Sequence, residues 1–256
     1  MKLFFQKIYL GLVYSLLYIP ILVLILYSFN KARFSLQWKS FSIHWYQELL
    51  QDKGLWTALF HSAYLGLSAS LIATTIGVAA CLSIFLHPNY KRYRSFHATL
   101  LMMIVIPDIV LGVALLIFFN STGIPLGFCS LLIAHITFCI PFVVLTINSR
   151  LHTLDVSVYA SAQDLGASRF TAITKIVLPL LWPAIFSACL LCFTLSFDDV
   201  IISYFVAGPS FNILPLTIYS LVRAGVTPEL NALCTLTFFI SMVLVIFSYR
   251  MSGQSK

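Results

Sequence analysis

Three carboxylates stand inside apolar stretches: Asp108 in Ile106-Pro-Asp-Ile-Val, and Asp198 with Asp199 in Leu195-Ser-Phe-Asp-Asp-Val. Each costs about 2.5 kcal/mol or more if it faces lipid ionised, so such groups turn toward a cavity or a partner. The runs that hold them contain no Lys or Arg, which leaves a cationic substrate as an attractive counter-charge. The other reading makes them packing groups, protonated or hydrogen-bonded to Ser and Thr on adjacent helices. Cys192, Ser196, Asp199 and Ser203 recur at i, i+4, i+7 and i+11, a small polar stripe that favours Asp199 for a polar route or helix interface. Asp198 shares its face with Leu191, Leu195 and Phe205 and points to a partner chain or to an aromatic part of the path, where the Phe205 ring offers cation–π attraction. The candidate path is therefore Asp108, Asp198, Asp199, Ser196, Ser203 and Phe205.

A second group lies between Asp155 and Pro179. Val158, Ala162 and Leu165 have the spacing of one face of a short helix, and Gly166 is placed to end it in the left-handed conformation. Ser168 can cap a following helix on which Phe170, Ile173 and Val177 share a face, before Pro179 admits the next apolar run. Such a pair of short amphipathic helices at a glycine corner suits a socket on a protein partner better than a lipid surface. Ala160, Ala162, Asp164, Gly166, Ala167, Ser168 and Arg169 are its candidate docking residues.

Other chemistry has no foothold. There is no G-x-x-x-x-G-K-[ST] to cradle a nucleotide, no H-E-x-x-H and no G-x-S-x-G, and the six histidines are dispersed. Cys189-x-x-Cys192 and the i, i+4 pair His135 and Cys139 bring no further ligands, so the six cysteines read as small apolar packing groups. No metal and no cofactor is expected on this chain.

The elements that must carry these residues follow from composition. Of 256 residues 60% are hydrophobic and 9% charged, against about 25% charged in a soluble domain. The apolar runs are too long and continuous for barrel strands, so the fold class is an all-α polytopic membrane bundle. One transmembrane domain over 1–256 is expected, with about six spans at 8–29, 56–86, 97–119, 125–148, 178–206 and 231–249 and a cytoplasmic loop at 155–177. With the N-terminus inside, ten of the fifteen Lys and Arg fall on cytoplasmic segments and five outside, the arrangement the positive-inside rule favours, with both termini cytoplasmic. Scattered in this way, the formal charge of +7 marks topology and implies no nucleic acid.

On the segment 155–179 the chain resembles the permease subunits of binding-protein-dependent ABC importers. Their cytoplasmic loop reads E-A-A, three residues, Gly, nine residues, then I-x-L-P. Here Ala162, Gly166 and Ile176-Val-Leu-Pro179 match, Ala160 stands in place of Glu and Ser161 in place of Ala, with Asp164 and Asp155 as nearby acids. Tyr18-Ile-Pro-Ile, Trp45-Tyr-Gln-Glu, Ile106-Pro-Asp-Ile-Val, His135-Ile-Thr-Phe and Phe205-Val-Ala-Gly-Pro-Ser extend the resemblance along nearly the whole chain, toward the members that carry spermidine and putrescine. It implies a bacterial inner-membrane assembly with a second homologous permease, two ATPase subunits that bind ATP and Mg, and a periplasmic polyamine-binding protein. A stand-alone secondary transporter or cation channel using the three carboxylates as a relay, or a permease for another small solute, are the alternatives, and an integral-membrane enzyme has no visible constellation.

Overall fold

The computed structural model describes residues 2–32, 37–86, 90–154, 156–225 and 228–253. Asp155, at the head of the expected docking loop, lies outside the described residues. The described residues are helical, with one isolated antiparallel bridge between Asn30 and Phe41. The helices are α1 (Lys2–Ser28), α2 (His44–Gln51), α3 (Lys53–Leu86), α4 (Tyr90–Val105), α5 (Asp108–Thr122), α6 (Phe128–Thr153), α7 (Val156–Asp164), α8 (Arg169–Ala172), α9 (Leu178–Asp198), α10 (Ile201–Val206), α11 (Leu214–Ala224) and α12 (Pro228–Gly253), with a π turn at Ile173–Val177.

Among the described residues four helical stretches are long and apolar enough to cross a membrane: Tyr9–Ser28, Lys53–Leu86, Phe128–Thr153 and Arg169–Asp198. These coincide with the first, second, fourth and fifth expected spans, and the sixth falls within α12. The third is not one helix. It is broken between α4 and α5, which meet at a bend of 103°. Pro107 supplies no N–H to the α4 ladder and pushes Ile106 out of helical geometry, so α4 stops and α5 restarts at Asp108. The fifth span is also interrupted, because α9 ends at Asp198 and Asp199 is extended at φ −69°, ψ 123° before α10 begins.

The chain divides into two compact units, Met1–Trp56 with Thr217–Lys256, and Thr57–Leu216. In the first, α1 and α2 both pack on α12. The indole N–H of Trp45 donates to the Asn30 carbonyl at 2.8 Å, and the Tyr46 and Ser28 hydroxyls are 2.7 Å apart, so these aromatics tie the segment after α1 to its end.

The second unit is built on α6 and α9. His135, Cys139, Val143, Ile147 and Leu151 form a buried row on α6, and Leu181, Ala188, Cys192 and Ser196 the facing row on α9. The small side chains let the backbones approach closely, as between helices in lipid. The Cys139 thiol donates to the Cys192 carbonyl at 3.7 Å and the Cys192 thiol to the Cys139 carbonyl at 3.6 Å, which sets these two residues opposite each other in an antiparallel register. One turn along each helix, the same register brings His135 to Ser196.

Candidate functional site

At the α9–α10 break the Asp199 carboxylate folds over the first turn of α10. Its Oδ1 accepts from the Ile202 N–H at 3.2 Å, and its Oδ2 from the Ser203 N–H at 2.7 Å and the Ser203 hydroxyl at 2.8 Å. Asp199 thus satisfies N–H groups that a helix start leaves without partners.

His135 reaches this turn from α6 and is 1% exposed. Its Nδ1 lies 2.6 Å from the Ser196 Oγ, its Nε2 3.0 Å from the Ser203 Oγ and 3.7 Å from Asp199 Oδ2. The Ser203 hydroxyl hydrogen is committed to Asp199, so the Ser203 oxygen accepts from His135 and Nε2 carries the ring hydrogen. In the neutral tautomer this leaves Nδ1 to accept from the Ser196 hydroxyl. A directed chain of bonds runs Ser196 to His135 to Ser203 to Asp199, spanning α9, α6 and α10.

The expected stripe is therefore partly right and partly corrected. Cys192 and Ser196 do share the α9 face, but the helix stops before Asp199, and Ser203 joins them through the imidazole rather than by helical spacing. The face drawn from Leu191 through Asp198 to Phe205 fails for the same reason. Phe205 is half-buried against α5, where a Cβ added at Gly112 would come within 2.8 Å of its ring, so glycine is required for that close approach. Asp198 is exposed, and Asp108, expected mid-helix, is a half-buried residue of the first turn of α5. No Lys or Arg pairs with any of the three carboxylates among the described residues.

Two contacts orient the breaks. Gly112 on α5 meets Ile202 and Phe205 on α10, and beyond both helix ends Gly208 sits against the Leu126 backbone. Asp108 therefore opens α5, which packs on α10, and Asp198 closes α9 just before α10 begins. His135 escaped the sequence reading, which paired it with Cys139 as an incomplete ligand set. Its signal was cost: an imidazole inside an apolar run must find partners.

The glycine corner between α7 and α8 forms as its local residues predict. Gly166 has φ +87°, its N–H donates to the Gln163 carbonyl at 2.9 Å, and the Ala167 N–H reaches the Ala162 carbonyl at 3.0 Å, the paired bonds of a Schellman end. Ser168 Oγ accepts from the Thr171 N–H at 3.2 Å and caps α8. Tyr159 packs edge-on against Phe85 of α3 with centroids 5.4 Å apart, anchoring α7. Ala160, Asp164, Gly166, Ser168 and Arg169 are exposed, Ala167 is half-buried and Ala162 is buried. Both expected faces are corrected here: on α7 Ala162 turns inward while Leu165 is 89% exposed, and on the following turn Val177 is buried while Phe170 is 76% exposed, so Leu165 and Phe170 are the exposed apolar side chains of the corner.

Residues 73–255 match the family described as binding-protein-dependent transport system inner membrane component. The chain belongs to this family. It is 44% identical over 255 residues, 100% of this chain and 99% of the relative, to the spermidine/putrescine transport system permease protein PotC of Haemophilus influenzae. The PotC of Escherichia coli strain K12 is 46% identical, covering 92% of this chain and 89% of its own length, and the putrescine transport system permease protein PotI of that strain is 37% identical over 95% and 89%. The fold is shared with a bacterial ABC transporter that imports the acidic polysaccharide alginate, at TM-score 0.77 and 16% identity over 100% of this chain and 96% of that one. The MetNI methionine ABC transporter is similar at TM-score 0.62 and 16% identity, over 80% and 99%. As an inner membrane component of this family the chain is a multi-pass transport subunit and not itself an enzyme.

Proposed function

We propose that this chain is the membrane-spanning permease of an ATP-driven importer and passes polyamines such as spermidine and putrescine into the bacterial cytoplasm. The observation that carries the substrate class is Asp198, an exposed carboxylate at a helix break in an apolar span, with Asp108 at the start of α5 after the other break and, among the described residues, no Lys or Arg paired to either. An ammonium group within 4 Å of such a carboxylate gains about 4 kcal/mol at an effective dielectric of 20. That attraction offsets part of the desolvation of a dication and is weak enough to release it. Broken helices are where transporters place such sites. Asp199 adds its charge from behind the first turn of α10, with Ser196 and Ser203 held by His135 and Phe205 serving to pack α10 on α5.

The exposed break also requires a cover within the membrane, and a second homologous permease supplies one. The α7–α8 corner, tipped by Leu165 and Phe170, is the socket for an ATPase, so that two such subunits bind ATP and Mg outside this chain. A periplasmic binding protein delivers the polyamine, and both termini are cytoplasmic. The identity to spermidine/putrescine and putrescine permeases supports this reading. The test is ATP hydrolysis by the purified assembly in lipid nanodiscs with its binding protein. Stimulation by putrescine or spermidine but not by sulfate or thiamine is the expected result, and stimulation by an anion alone would overturn the substrate class.

A further inference from the structure

We infer that His135 is a positioning residue that holds the Asp198 carboxylate in the substrate path, an inference that rests on the polyamine reading above. The break in the fifth span leaves Asp198 at the end of the long helix α9, before a short helix α10 whose direction relative to α9 the backbone does not fix. Only Asp199 and Val200 separate α9 from α10, and Asp199 is extended. The six-residue helix α10 is too short to set its own direction. His135 bonds both sides of the break at once, Ser196 at 2.6 Å on α9 and Ser203 at 3.0 Å on α10. Asp198 lies between these two pins, exposed while its neighbours on the chain of bonds are buried.

The ring itself hangs from α6, in the row closed by the reciprocal Cys139 and Cys192 contacts, so the reference for Asp198 is the buried α6–α9 seam. A rigid ring with two opposed nitrogens can span both hydroxyls, and an aliphatic side chain of the same bulk can fill the volume without fixing the angle between α9 and α10. His135 does not touch the substrate. Its effect on transport passes through the direction in which Asp198 points.

A double-mutant cycle on the complete assembly in proteoliposomes tests this, reading polyamine transported per ATP hydrolysed at matched amounts of assembled complex. Asp198→Asn and His135→Leu are each expected to lower that ratio about tenfold, and the double variant to be no worse than Asp198→Asn alone. His135→Gln, whose carboxamide N–H can still donate toward Ser203, is expected to recover most of the ratio that His135→Leu loses. Multiplying effects in the double variant, or an unchanged ratio in His135→Leu with only less complex assembled, would show a packing role and overturn the inference. A wild-type assembly that moves no polyamine would overturn the transport reading itself, and the inference with it.

Discussion

At the residue scale the two neighbouring aspartates do different work, although the sequence presents them as a pair. Asp199 spends its oxygens on two backbone N–H groups and one hydroxyl. Asp199→Asn keeps one accepting oxygen for Ser203 but turns its carboxamide NH2 toward the Ile202 N–H, and is expected to cost about 1–2 kcal/mol, less than removing both acceptors. Asp199→Leu strands all three donors in a dry site and is expected to cost about 3 kcal/mol or more, read as a loss of assembled complex by blue-native electrophoresis. Equal complex levels in the Asn and Leu variants would contradict the capping role. Asp198→Asn should behave in the opposite way, assembling normally while uptake of labelled putrescine falls about tenfold, the part of the attraction that is not offset by desolvation of the ammonium group. Residue type made the carboxylates legible in the sequence. Which of them is free was not legible, because that depends on a helix break that helical spacing assumes away.

Elements divide along the same line. The α7–α8 corner could be read in advance because each of its determinants is local: a glycine at the helix end and a serine before the next helix. Both ends of the fifth span depend on more. Pro179 has no N–H for the Lys175 carbonyl, and the chain accommodates it with the π turn Ile173–Val177, where the Leu178 N–H reaches back to the Ile173 carbonyl. The break at Asp199 is held by a histidine more than sixty positions away. Gly166→Val is expected to impose about 1–2 kcal/mol of left-handed strain on the corner. The Gly166 Cβ position itself meets no atom within 4 Å, so the loss is one of conformation and not of space. Purified assemblies carrying Gly166→Val should hydrolyse ATP with reduced transport, or lose the ATPase on size exclusion, and unchanged behaviour in both respects would remove the corner from the docking account. Ala160 is exposed on α7, and Ala160→Glu should bind the ATPase at least as well as the natural residue in the same assay.

For the whole molecule, the all-α membrane class was written in composition, and the family in a handful of spaced residues. The interruptions of the third and fifth spans were not, because an apolar run reads the same whether it is one helix or two. The charge split predicts the orientation: in intact cells carrying an otherwise cysteine-free chain, a membrane-impermeant thiol reagent should label Ser210→Cys and not Ser168→Cys, and the reverse pattern would put the proposed docking corner on the wrong side. The central claim is that this chain passes a polyamine only as part of an ATP-driven assembly, which sets it apart from a carrier that uses the same three carboxylates as a proton or cation relay. It is tested most directly in proteoliposomes holding the complete assembly, with ATP enclosed and with binding protein and labelled spermidine outside. Uptake is expected to require the enclosed ATP and the binding protein and to be indifferent to a protonophore, whereas uptake that persists without ATP and collapses with the protonophore would show a carrier instead.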